Sequence, residues 1–393
     1  MTRAVDVVIV GGGVIGAATA WHLSRLGAGR VLLLERDELA SGGTGRSTAI
    51  VRTHYVHRVL AEIALEARRA FERFGEEVGG DCAFRRTGFL VLHGPADSGN
   101  LEANVAMHRE VGIDAHRLTP EELRKLEPRI STEGVDAAAW EPDSGKADPH
   151  GTTAAYAGAA KEAGVDIRTG AQVIRILTEG SRVTGVGTAE GSIPAGAVLV
   201  AAGLGTAALV APLGFEAPLT GVRHTVASVR RSADFGAAHA TVSDRVLGSY
   251  YMPEGSELTL IGTTAASEGE RETDAWRQRT PAGAELEPLA GRFLARFPGQ
   301  ESASLQGGWT GVYDCSPDLQ PLLGPVPGVE GLHIACGFSG HGFKLSPVLG
   351  RLLAERMVLG RERGHDLDFF SPTRFQEGRR ITAAHTYTVQ TLG

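Results

Sequence analysis

Gly11-Gly12-Gly13-Val14-Ile15-Gly16 constrains this chain more than any other stretch of it. The run follows a short apolar segment, Asp6 to Val10, that reads as a buried parallel strand, and it opens a helical pattern from Ile15 to Leu26. Gly27-Ala28-Gly29 ends that helix, and Val31 to Leu34 is a second apolar strand closing at Glu35. Strand, glycine turn, helix and strand in this order make one βαβ unit. Within it Gly11 permits the tight turn, Gly13 lets a phosphate approach the backbone, and Gly16 allows the helix to pack closely on the strand. The amides of Val14 and Ile15 are left for a pyrophosphate. Glu35, with Arg36 beside it, stands where a carboxylate accepts hydrogen bonds from a ribose. The unit predicts a bound dinucleotide but does not choose between NAD and FAD, since both use it.

With 393 residues the chain has room for two ordinary domains. Nucleotide-fold patterns recur in three pieces, and the segments between them read as mostly β with inserted helices. The fold expected is α/β. A doubly wound, Rossmann-like domain (residues 1–82, 147–217 and 318–393) is interleaved with an α+β substrate domain on a large antiparallel or mixed sheet (83–146 and 218–317). Thr119-Pro120-Glu121-Glu122 reads as a capped helix start, and the last helix is expected from about Ser346 to Val358.

A formal net charge of −7 argues against nucleic acid or an anionic membrane as partner. Cys82, Cys315 and Cys336 are too few and too scattered for a disulfide framework or a metal site. No apolar stretch approaches the roughly 20 residues of a spanning helix, and the first strand begins too early for a secretory leader. A cytoplasmic enzyme, with no metal and no membrane partner, is expected.

Three further glycine-rich turns favour FAD. Ala40 to Ser47 offers hydroxyls, free amides and one cation near a pyrophosphate, through Ser41, Gly43, Thr44, Arg46 and Ser47. Ala202, Gly203 and Gly205, after the strand ending at Ala201, allow close backbone approach. Gly337-Phe338-Ser339-Gly340-His341-Gly342-Phe343-Lys344 lies between the last strand and the last helix. A helix N-terminus and an ammonium there would stabilise negative charge on a reduced flavin.

With these motifs on the page, the chain resembles the D-amino-acid-oxidase-like FAD-dependent oxidoreductases, most of all their sarcosine oxidase and glycine oxidase branch. The motifs are the N-terminal fingerprint, Thr48 to Tyr55, Gly308 to Tyr313 with Ser316-Pro317-Asp318, and the Gly337 to Lys344 turn. The resemblance runs through roughly residue 360. In its register Ala49, Ile50 and Val173 join the cofactor set. It assigns carboxylate binding to Arg52 and Lys344, which suits a planar bidentate fork beside a point charge. Tyr313 matches a tyrosine lining the pocket above the flavin. Tyr250 and Tyr251 both match a second such position, and Tyr251 is the one taken.

Two departures stand out. The relatives with covalent FAD carry a cysteine two residues before the matched tyrosine; here that residue is Gly311, so noncovalent FAD is expected. The lysine that speeds reaction with oxygen has no counterpart in Glu257 to Gly262. The resemblance implies oxidation of the C–N bond of a small carboxylated amine, a glycine or N-substituted glycine. An imine forms and hydrolyses, and oxygen or another electron acceptor reoxidises the flavin. A D-amino-acid or dimethylglycine-type dehydrogenase, or a flavin-holding subunit of a larger complex, remains open, as does the oligomeric state.

Overall fold

The computed structural model describes residues 5–264, 270–272 and 279–388. Among them, eight strands form one sheet and nine a second. In the first, Asp166–Arg168, Val31–Leu34, Val5–Val10, the second half of Gly191–Val200 and Leu332–Cys336 lie side by side and parallel. The apolar runs read from sequence are buried here on both faces, as parallel strands require. Val7, Ile9 and Leu33 face the helices Val14–Arg25, Arg58–Glu72, Pro149–Glu162 and Gly342–Leu359. Val8, Val10 and Leu34 face the other way, onto the meander Val173–Glu179 and Arg182–Thr188. That face is thus covered by antiparallel strands where a doubly wound sheet would carry helices. Gly350 lets the last helix cross the first: a Cβ there would lie 2.8 Å from Ala18 Cβ.

The second sheet is built on Thr220–Arg230, which pairs with Ser304–Cys315 along one edge and with Leu258–Thr263 and Glu270–Glu272 along the other. Ser249–Glu254, Thr241–Asp244, Phe89–His93, Ala137–Glu141 and His116–Leu118 continue it. The helix Gly283–Arg296 covers one face through Phe293, with Phe297, Phe235 and Tyr251 packed around it. A third, three-stranded sheet joins Ile50–Val51 to Gly145–Lys146 and Arg85–Arg86, and so seats the stretch that leads into Arg52.

The last helix starts at Gly342, four residues before the point read from sequence, and Pro347 lies inside it. Phe343 and Lys344 therefore belong to its first turn. Pro347 is its sixth residue, beyond the first turn, and has no amide to give Phe343 O, so the helix runs on with one intrahelical bond missing. The capped start at Thr119 forms as read, its hydroxyl accepting from the Glu122 amide at 3.3 Å.

Candidate active site

Across the carboxyl ends of the parallel strands runs a cavity of about 450 Å³. Its walls come from Val10 and Gly11, Leu34 and Glu35, Ala201 and Ala202, and Ala335, at the ends of four neighbouring strands. Ligands of open α/β sheets bind in this position. Gly11 has φ +115° and a Cβ there would stand 2.4 Å from Ala201 O. A Cβ on Gly16 would stand 2.1 Å from Gly11 O, so this glycine sets the packing beneath the cavity without lining it. Glu35 accepts the Gly12 amide at 2.6 Å and the Asp37 amide at 2.8 Å, which fixes both carboxylate oxygens and leaves each a lone pair. Thr44 Oγ1 accepts the Val14 amide at 3.2 Å and holds the second turn over the first.

Of the residues singled out from sequence, Gly13, Val14, Ile15, Arg36 and Gly43 line this cavity. So do Thr44, Arg46, Ser47, Val173, Gly203 and Gly205. At its far end stand Tyr313, Gly340, Gly342 and Phe343. Ser41, Ala49, Ile50, Gly337, His341 and Lys344 are not on its wall. Ser41 and Gly42 instead give their carbonyls to the Arg46 guanidinium. Ala49 sits at φ +55° and returns its amide to Ser47 Oγ, which turns the chain into the Ile50–Val51 strand. Gly337, at φ +69°, donates its amide to Asp314 Oδ2 at 2.7 Å. The Val14 amide, expected to be left for a pyrophosphate, is taken by Thr44. A cavity walled by glycines, the start of the first helix and an acid still suits a dinucleotide drawn across the strand ends.

The two cations are not on this wall, although Lys344 directly follows Phe343, which is. Arg52 is buried, its Nη1 donating to His54 O and its guanidinium 4.5 Å over the Tyr55 ring. Lys344 is buried too, donating to Gly340 O at 3.1 Å. Burial, and then the Arg52 charge, hold the Lys344 ammonium well below its usual range. The sequence brings these side chains from opposite ends of the chain, and the fold places them in one field. His341 stands in the field of both, with Nδ1 3.1 Å from Tyr55 Oη. Burial, then Lys344, Arg52 and Arg245, keep its imidazole neutral.

Tyr251 lies elsewhere. It is fully buried among Phe293 and Phe297, its hydroxyl donating to Arg292 O at 3.1 Å. Side chains alternate along a strand, so its neighbour Tyr250 faces the opposite side. Tyr250 meets His224 there, with Nε2 to Oη at 3.3 Å, and the His224 ring lies 5.1 Å from that of Tyr313. Gly262 makes the room, since a Cβ there would stand 2.5 Å from Tyr250 Oη and 2.6 Å from His224 Nε2. Burial takes His224 down to about 4.

Sequence reasoning missed His224, Arg245 and Asp314. Burial, then Arg52, bring Arg245 down to about 10, so it shares the field of Arg52. Asp314 lines the cavity next to Tyr313, and burial raises it to about 6. The strand alternation that separates Tyr250 from Tyr251 was available from sequence; the neighbours of Arg245 were not.

Comparison with known proteins agrees with this geometry. The chain is 31% identical over 96% of its length to the sarcosine oxidase subunit beta of an Arthrobacter species, covering 93% of that protein. The crystal structure of glycine oxidase from Geobacillus kaustophilus superposes with a TM-score of 0.83 at 28% identity, over 97% of this chain and all of that one. That of L-proline dehydrogenase from P. horikoshii gives 0.88 at 25% identity, with the same coverage. The sequence profile of one family, the FAD dependent oxidoreductases, matches residues 6–356, and this chain belongs to that family.

Proposed function

We propose that this enzyme oxidises the C–N bond of a small amine carrying a carboxylate, of the glycine and N-methylglycine class. The observation that carries the reading is the buried Arg52 and Lys344 pair, close enough that the Arg52 charge bears on the Lys344 ammonium. The printed functions of the similar proteins, sarcosine oxidase and glycine oxidase, support it.

FAD, when bound, supplies the two-electron acceptor, and the cavity residues named above would hold it. The protein's own share is positioning and electrostatics. Arg52 and Lys344 clamp the carboxylate, which fixes the α-carbon relative to the cavity. Binding an anion lets the Lys344 ammonium regain its charge at lower cost. The same positive field opposes a second ammonium, so the substrate is held as the neutral amine, the form able to give up hydride from carbon. Tyr250, His224 and Tyr313 form one buried aromatic group, of which Tyr313 lines the cavity. Loss of hydride leaves an imine, and water hydrolyses it. An N-methyl group departs as formaldehyde and an N-carboxymethyl group as glyoxylate.

FAD is read as noncovalent. Position 311 is glycine, and even a Cβ there would stand 3.1 Å from Arg46 Cβ. Acid precipitation should leave the yellow colour in the supernatant. Dioxygen is read as the acceptor, with hydrogen peroxide formed. A dehydrogenase using another acceptor is favoured by one observation: Leu258–Thr263 carries no lysine. The deciding experiment is anaerobic mixing of the isolated chain with N-alkyl glycines and D-amino acids. Bleaching of the oxidised flavin supports the reading, and peroxide measured in air against reduction of an artificial dye separates the two acceptors. A flavin that no carboxylated amine bleaches overturns it and favours a flavin-holding subunit.

A further inference from the structure

A buried polar chain runs behind Arg52, and its last member comes from the C-terminal tail. Glu141 Oε2 accepts the Thr53 amide at 3.1 Å, the Thr53 hydroxyl at 2.7 Å and the Ser144 hydroxyl at 2.8 Å. Its other oxygen lies 3.3 Å from His54 Nδ1, a contact without the alignment of a hydrogen bond. Burial pushes the Glu141 carboxyl up, but His54, His108 and Thr53 outweigh it and bring it to about 2. His54 itself is taken down to about 4 by burial, so it is a neutral imidazole with one N–H. Its Nε2 lies 2.8 Å from the Tyr387 hydroxyl, the hydrogen bond that ties the ring to the tail.

The tail is tied down on both sides of Tyr387. Asn104 donates to His385 O at 2.9 Å and Asn100 to Thr386 O at 2.8 Å. Thr388 donates its amide and its hydroxyl to Asp97 Oδ1, each at 2.8 Å. The Tyr387 ring lies 4.1 Å from that of His93, and the Arg245 guanidinium is 5.8 Å from its centre. His54, Glu141 and His108 also present Nδ1, Oε1 and Nδ1 within 4.8 Å of one another. A dication there would stand in the Arg52 field that already bears on His54, so the cluster reads as a clamp on the chain, not a metal centre.

We propose that Tyr387 is a positioning residue for the Arg52 anchor: it completes the Glu141–His54–Tyr387 chain that fixes the His54 carbonyl on which Arg52 is seated. The tail thereby belongs to the substrate site, although it touches no reacting atom. This rests on the reading of Arg52 as the carboxylate anchor.

The test uses the FAD-loaded full chain, with acetate as a carboxylate that cannot be oxidised and the flavin spectrum as readout. Tyr387→Phe should weaken acetate binding and raise KM for an N-alkyl glycine by about five- to ten-fold, the equivalent of one buried hydrogen bond. kcat and FAD content should hold, with Tm lowered only by as much as one lost hydrogen bond allows. Glu141→Gln should act in the same direction, and Tyr387→Trp, which keeps a ring but misplaces the donor, should not rescue. Unchanged acetate affinity in both Tyr387→Phe and Tyr387→Ala overturns the proposal while leaving the anchor standing, provided Arg52→Met abolishes the response. Parallel loss of kcat, Tm and FAD in Tyr387→Phe marks a merely structural residue and overturns it too. A wild-type spectrum indifferent to acetate overturns the anchor together with it.

Discussion

Tyr250 and Tyr251 are consecutive on the strand Ser249–Glu254 and belong to different worlds: Tyr250 Oη meets His224, while Tyr251 Oη reaches Arg292 O beneath the helix Gly283–Arg296. Their replacement should separate accordingly. Tyr251→Phe should lower stability by about 1–2 kcal/mol, from the lost buried hydrogen bond, with KM unchanged. Tyr250→Phe should change kcat or KM several-fold at nearly constant Tm. Urea unfolding beside steady-state kinetics checks both; a kinetic effect confined to Tyr251→Phe would falsify the assignment.

Arg52→Met should raise KM for a carboxylated amine by roughly 100-fold, the loss of a bidentate charged contact in a buried site. FAD affinity should change by less than about three-fold, because the guanidinium is not on the cavity wall. Flavin fluorescence titration beside initial rates is the check. Equal loss of both would place Arg52 under the cofactor.

Carboxylate binding should weaken as pH rises. Burial and Arg52 lower the Lys344 ammonium below its ordinary value, so its proton leaves earlier than from an exposed lysine and the anion loses a partner. Acetate affinity followed by the flavin spectrum from pH 6 to 10 should fall, and Lys344→Met should flatten the curve. A pH-independent affinity in the wild type sinks the idea.

Asp314 gives a second pH signature, in stability. Burial raises its folded-state value to about 6, above the ordinary 3.8, so the neutral acid is the favoured folded form. Its stabilising contribution is complete below the unfolded value and is lost as pH rises through about 6. Asp314→Asn should therefore raise the Tm of the FAD-free chain at pH 8 and leave it unchanged at pH 4. A gain at both pH values would point to packing instead.

The buried pair Arg296 and Asp244, joined at 2.6 Å and almost wholly excluded from water, should be intolerant of single truncation. Asp244→Ala should cost about 3–5 kcal/mol by stranding the guanidinium, measured by denaturant unfolding. A cost under about 1 kcal/mol would mean the pair is solvated.

The parts of the site legible in the sequence are those set by local rules. The fingerprint turn, Glu35 and the strand ends depend on short-range geometry, and each lies where its spacing put it. The family resemblance supplied Arg52 and Lys344, which no periodicity could have joined across nearly 300 residues. What stayed hidden was decided by tertiary neighbours. Arg245 follows a strand that pairs with Phe89–His93, and Tyr387 is docked by Asn100, Asn104 and Asp97; neither relation has a sequence period. The choice of Tyr251 over Tyr250 failed for another reason: which face of a strand is covered depends on where a later helix lands.

The cavity wall is drawn from separated segments of the polypeptide, Val10 to Ser47, Ala171 to Ile174, Ala201 to Leu209, Val312 to Asp314 and Ala335 to Phe343. An occupant therefore acts as a rivet through separate plies, and its binding free energy adds directly to the cohesion of the native state. Stripping it out should loosen those distant seams together.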